Sequence, residues 1–236
     1  MKTWLISAGL AAVLIAGARG AGHYDLTDAE KAAGWKLLFD GQTTNGWQSF
    51  KKGTFPAQGW VIEDGALKHL ANGGGGDLVS RETFSEFELS WEWKIAKGAN
   101  SGLKYFVSGD RSSPLGHEYQ MIDDKRDANG RPAVNKGGTG SFYDVLPPEK
   151  NTARPPGEWN QSRVLVKGNQ VEHWLNGERV LAYELGGDAV KQALAKSKFK
   201  NTPGFGVRLK GHILLQDHGG EVFFRHIKIR DLSGAP

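Results

Sequence analysis

The sequence predicts an all-β sandwich of two antiparallel sheets, and three observations predict it. Glycine supplies 33 of 236 residues, so the chain can turn often. Between the turns lie short runs in which apolar and polar residues alternate with period two, the pattern of a half-buried strand. Finally, there are eight tryptophans and no cysteine. Without disulfides or thiolate metal sites, stability must come from a packed core, and indole rings can fill it or stack on sugar rings at an open face.

Taken in order, the chain begins with Lys2 and an apolar run from Trp4 to Ala18 that closes on small residues at Ala16-Gly17-Ala18 or Ala18-Arg19-Gly20. This reads as a secretory signal peptide over residues 1–20, leaving one domain over 21–236 that is secreted or periplasmic. The run is shorter than the roughly 20 apolar residues of a membrane span, and nothing later matches it. No cysteine follows the cleavage site to carry a lipid. Thirty basic against 26 acidic side chains give a formal charge of +4. They are scattered, with no nucleic-acid-binding motif among them.

Thr27 with Glu30 three residues on predicts a short capped helix. Trp35 to Phe39 is a strand, and Asp64-Gly65 turns Trp60 to Glu63 into Ala66 to Leu70. Phe87 to Ile95 puts Leu89, Trp91, Trp93 and Ile95 on one face and Glu88, Glu92 and Lys94 on the other. Ser101 to Val107 and Glu118 to Ile122 follow. A Gly/Pro/Asn-rich stretch over 123–157 is long enough to suggest a working loop. Gly168-Asn169 and Asn176-Gly177 then predict a three-stranded antiparallel meander, because both dipeptides favour positive φ. Residues 188–199 are the second helical candidate.

The segment from Gly211 to Gly220 carries the most chemistry. Ile213 and Leu215 face one way, while His212, Gln216 and His218 face the other. Glu118 and Gln120 show the same spaced polar pair. The sequence has no P-loop, G-x-S-x-G elbow, H-E-x-x-H or dinucleotide fingerprint. It also lacks an E-x-D-x-E strand, which counts against direct hydrolysis by two opposed carboxylates. A histidine suits the removal of an acidified C–H and is a poor tool for an unactivated acetal.

Four motifs in order carry a family resemblance: Glu118-Tyr119-Gln120, Trp159-Asn160, Val171-Glu172-His173-Trp174-Leu175-Asn176-Gly177, and Gly211 to Gly219 with Phe224-Arg225-His226-Ile227. From about Trp35 to Leu232 the chain resembles the 3-keto-disaccharide hydrolase family. The resemblance implies a concanavalin A-like jelly roll with one or two short peripheral helices and substrate on the concave sheet. It also implies a carbohydrate substrate already oxidised at C3 by a separate sugar 3-dehydrogenase. A C3 ketone acidifies the C2 hydrogen, so a base can remove it, the enolate can expel the C1 substituent, and water can add. His218 is expected to be the base, with His173 second and Glu118 as the third catalytic group. Gln120, Tyr143, Gln216, Trp159 and Lys104 are expected to bind substrate. Glu118 is open to three roles: acid, hydroxyl acceptor or ligand to a divalent cation, and the sequence selects no metal. Where the family often has a His-Pro-Asp-like element, this chain has Asp124-Lys125-Arg126-Asp127-Ala128. The alternatives are a lectin-like carbohydrate-binding module and a conventional glycosidase acting on unoxidised glycans.

Overall fold

The computed structural model describes residues 24–234; the expected signal peptide lies outside them. Helix α1 (Asp28–Ala32) opens with the capping box, in which Glu30 N–H donates to Thr27 Oγ1 and the Glu30 carboxylate accepts from Thr27 N–H. Next come β1 (Trp35–Leu37), β2 (Trp47–Ser49), β3 (Trp60–Glu63), β4 (Ala66–His69), β5 (Leu78–Phe84), β6 (Phe87–Ile95), β7 (Asn100–Val107) and β8 (His117–Ile122). After the long loop follow β9 (Asn160–Lys167), β10 (Gln170–Leu175), β11 (Glu178–Glu184), helix α2 (Asp188–Leu194), β12 (Gly211–Leu215) and β13 (Val222–Asp231).

All strand pairs are antiparallel, and they form two sheets. The larger runs β11-β10-β9-β6-β13-β4-β3, with β1 also on β13; the smaller runs β2-β5-β12-β7-β8. Strand β13 serves both β4 and β1 because a register shift between Arg225 and Lys228 divides it, with His226 at φ 50 inside the bulge. The expected meander is β9-β10-β11. Asn176 and Gly177 both take positive φ (50 and 84), while the first turn uses Gly168 (φ 57).

The inward faces interdigitate as the period-two pattern requires. Phe87, Leu89, Trp91, Trp93 and Ile95 of β6 are all buried, and the Trp91 ring meets Tyr119 of β8 edge-on at 5.0 Å. A relay of polar atoms runs between the sheets: Trp93 Nε1 donates to Ser162 Oγ, whose hydroxyl donates to Tyr119 Oη, and that hydroxyl donates to the Trp174 carbonyl. No helix among the described residues is long and apolar enough to cross a membrane.

Three features depart from the sequence reading. Strands β2 and β5 lie outside the expected set: β2 is only three residues long, and in β5 Leu78, Val79 and Ser80 are buried in succession. Helix α2 stops at Leu194 instead of continuing to 199. Lys196 and Ser197 close tight turns, and Phe199 leaves to stack on Phe205 at 4.3 Å. The loop over 123–157 packs as part of the domain. Phe142, with no exposed surface, bridges to Tyr119 and covers the free edge of β8.

Candidate active site

Cross-strand register aligns the polar side chains on the outer face of the five-stranded sheet. Glu118 of β8 lies opposite Lys104 of β7, which lies opposite Leu214 of β12 and, beyond it, Val79 of β5. Two residues along β8, Gln120 lies opposite Gly102, whose carbonyl accepts from Gln216 N–H just past the end of β12. Asp77 continues this row one residue before β5, accepting from Asp217 N–H at 2.8 Å. Asn100 stands two residues before Gly102 and the exposed His218 two residues after Gln216. Side chains of paired and alternate residues share a face, so the register alone brings these groups together.

The cleft between them measures about 140 Å³ and is lined by Asn100, Lys104, Glu118, Gln120, Gln216 and His218, with Tyr143, Leu115, Lys198 and Phe199 around its mouth. The loop over 123–157 delivers Tyr143. Its Phe142 bridge to β8 lets Tyr143 N–H donate to the Glu118 carbonyl. Asp144 holds Lys198 through the Lys198 N–H at 2.6 Å, and the ammonium sits 4.2 Å over the Tyr143 ring.

Glycine is needed at position 102. A β-carbon there would stand 2.7 Å from Glu118 Oε1 and 2.9 Å from its Cγ, so the carboxyl lies directly over the Gly102 backbone. Burial pushes the Glu118 pKa up, against the nearby Lys104 and Lys198 charges, and Asp77 pushes it further. Its closest cation, Lys104 Nζ, stands at 4.0 Å, at the limit of an ion pair. Asp77 is raised in the same way, chiefly by burial. Two amide oxygens at the cleft, Asn100 Oδ1 and Gln216 Oε1, are buried with no hydrogen-bond partner. Such atoms are costly unless something completes them, and here both border the cleft.

Six of the eight site residues expected from sequence therefore meet in this cleft: His218, Glu118, Gln120, Tyr143, Gln216 and Lys104. Two do not, and those expectations are corrected. His173 lies in the core with no exposed surface. Its Nδ1 faces the Gly140 carbonyl and its Nε2 the Tyr105 hydroxyl, both at 2.9 Å, and burial pushes its pKa down to about 4. It is a satisfied neutral histidine that ties the long loop to the sheet, and it cannot reach substrate. Trp159 projects from the eight-stranded sheet, where the Arg225 guanidinium stacks 3.8 Å over its ring. Asn100, Lys198 and Gly102 belong to the site, and Asp77 borders it, though the sequence reading named none of them. Asp77 and Asn100 sit at strand starts among glycines and small residues, where periodicity is silent. Among the described residues, no three His, Cys, Asp or Glu side chains are grouped to hold a metal ion. Asp124, in the segment that departs from the family pattern, is a loop tie: it accepts from Thr139 N–H and Asn151 Nδ2.

Residues 34–230 match the model of the 3-keto-alpha-glucoside-1,2-lyase-like domain. The chain belongs to this family. It is similar to a 3-keto-disaccharide hydrolase of Bacteroides thetaiotaomicron, 34% identical across 86% of this chain and 80% of that protein. Among solved structures of Parabacteroides distasonis, it resembles one described as a candidate glycosyl hydrolase, with 36% identity and a TM-score of 0.77 over 89% of this chain and 99% of the other. A second from the same organism, similarly described, gives 25% identity and a TM-score of 0.65 over 84% and 99%. Membership in the 3-keto-glucoside lyase-like family places the chain among glycoside-cleaving hydrolases and lyases with a carbohydrate substrate.

Proposed function

We propose that this protein cleaves glycosides whose ring already carries a ketone at C3, by removing the C2 proton, eliminating at C1 and adding water. The observation that carries the reading is the placement of an exposed imidazole, His218, beside two unpartnered amide oxygens and a buried carboxyl on one sheet face. His218 takes the C2 proton. Lys104, Gln120 and Tyr143 surround the oxygen on which enolate charge collects, and fixed donors in a buried site act most strongly at that point. Asn100 Oδ1 and Gln216 Oε1 accept from ring hydroxyls. Glu118, held over Gly102, accepts another and keeps Lys104 in place. A sugar 3-dehydrogenase would supply the substrate. Export is inferred from the apolar run ahead of the described residues.

A conventional glycosidase is the second reading. Asp77 and Glu118 form a carboxyl pair on one face that the sequence did not reveal, and the Asp77 charge acts on Glu118. Against it, a retaining mechanism needs two carboxyls facing each other across the scissile bond, and only Glu118 lines the cleft. Incubating the protein with a glucoside and with its 3-keto derivative, followed by mass spectrometry, tests the choice. Cleavage of the 3-keto compound alone is expected; cleavage of the unoxidised glucoside at a comparable rate would overturn the reading.

A further inference from the structure

Asp77 stands at a junction. On one side it continues the Gln120-Gly102-Gln216 row of the cleft, and Lys104, Asp217, His218 and Glu118 all act on its charge or are acted on by it. On the other side the preceding residues Gly75 and Gly76 line a second hollow of about 620 Å³, whose lining also includes Phe55, Pro56 and Gln58. Gly76 and Asp77 are consecutive, so the chain that lines this hollow leads directly into Asp77. Ser49 lines the hollow with 3% exposure, and its hydroxyl has no hydrogen-bond partner. An apolar wall with an unpartnered hydroxyl suits a sugar ring, which has both an apolar face and hydroxyl edges.

We propose that Asp77 is the proton donor to the departing oxygen at C1, with the leaving sugar seated in the hollow beyond Gly76. The inference rests on the 3-keto-glycoside reading above. His218 takes the C2 proton, and that electron pair becomes the C1–C2 double bond. The C1–O bond breaks, its pair stays on oxygen, and the Asp77 O–H proton goes to that oxygen. The Asp77 carboxylate then takes a proton from the water that adds at C1, and the exposed His218, having exchanged its proton with solvent, protonates C2, so both residues end as they began. Two arrangements prepare Asp77 for this task. Burial favours its protonated form, and the Asp217 N–H occupies Oδ1, leaving Oδ2 to carry the proton.

The test uses leaving groups of different acidity with Asp77→Asn, which keeps an oxygen for Asp217 N–H but has no acidic proton. A 3-keto disaccharide needs its leaving alkoxide protonated, whereas 4-nitrophenolate departs without help. Measured as release of the leaving group, which precedes hydration, the variant is expected to lose about a hundredfold or more in kcat/KM on the 3-keto disaccharide while staying within about fivefold of wild type on 4-nitrophenyl 3-keto-glucoside. Activity on the nitrophenyl compound also shows that the variant is folded. Equal losses on both substrates, or a loss on neither, would overturn the assignment. Wild-type protein that leaves both 3-keto compounds intact would instead overturn the reading on which it rests.

Discussion

The outer faces of the two sheets use the same residue types to opposite ends. On the eight-stranded sheet charges are matched: Glu88 takes Arg163 at 2.6 Å and also Arg230, Glu92 takes Arg225 at 2.8 Å, Glu172 takes Arg179 at 3.3 Å, and Lys68 bridges Glu63 and Glu221 at 3.0 and 3.2 Å. Trp159, Trp174 and Phe223 each lie under a cation. A hollow of about 430 Å³ beside Trp159 is roomier than the cleft, yet the Glu92–Arg225 ion pair and the mutually bonded Asn160 and Asn176 amides on its walls are already satisfied. On the five-stranded sheet, by contrast, Glu118 is as buried as Glu88, but its nearest cation is 4.0 Å away, and two amide oxygens at the cleft have no partner. Room does not make a site; polar groups left incomplete in a buried place do.

The sharpest way to break this comparison is to remove one side chain from each face. His218→Ala should fold as wild type and lose at least about a hundredfold in turnover of a 3-keto glycoside, the usual lower worth of a positioned base. Arg225→Ala should keep activity within about twofold, because an exposed or half-exposed ion pair contributes ~1 kcal/mol or less to stability and nothing to the cleft. Steady-state rates on both variants decide it. Comparable activity losses would mean that the matched face is also functional.

A smaller effect is expected from Gly102→Ala. The added methyl needs the space Glu118 occupies, 2.7 Å from Oε1, so the carboxyl must shift. Misplacing a positioned group by about 1 Å costs on the order of tenfold to a hundredfold in rate. The same change at Gly98, which meets nothing within 4 Å but has φ 72, should reduce the melting temperature and leave kcat unchanged.

The smallest effect concerns stability. Glu118 is held above its ordinary value near 4.5, so the folded protein binds that proton more tightly than the unfolded chain. Its contribution is intact below pH ~4.5 and declines as pH rises from there toward the raised folded value. Glu118→Gln has no such proton. At neutral pH it should melt higher than wild type, by about 2–4 °C for each kcal/mol relieved, with the gap closing below pH ~4.5. Thermal melts of both proteins across pH 4 to 8 measure this; a lower melting temperature for the variant at pH 7 would show that the ionised carboxylate is stabilised instead.

How much of this was legible in the sequence depended on how local the signal was. Period-two alternation in Phe87 to Ile95 and the Asn-Gly turn at 176–177 are determined by neighbouring residues, and both read correctly. Spaced polar pairs at Glu118/Gln120 and Gln216/His218 also announced one face, and cross-strand register brought them together. His173 misled because a histidine next to Trp174 looks the same in sequence whether it faces a substrate or the Tyr105 hydroxyl 68 residues away. Trp159 misled because the sequence does not say which sheet a strand joins. Asp77 was invisible for the complementary reason: its role depends on pairing β5 with β12, across more than 130 residues of chain.

The cleft is expected to break a glycoside by first removing the C2 hydrogen, and a 3-keto glucoside deuterated at C2 reports on that step. If His218 takes that hydrogen, the cleaved product should have lost its deuterium to solvent, and the loss should disappear in His218→Ala. A cleaved product that keeps its deuterium at C2 would contradict the account and leave direct displacement by the Asp77 and Glu118 carboxyls in its place.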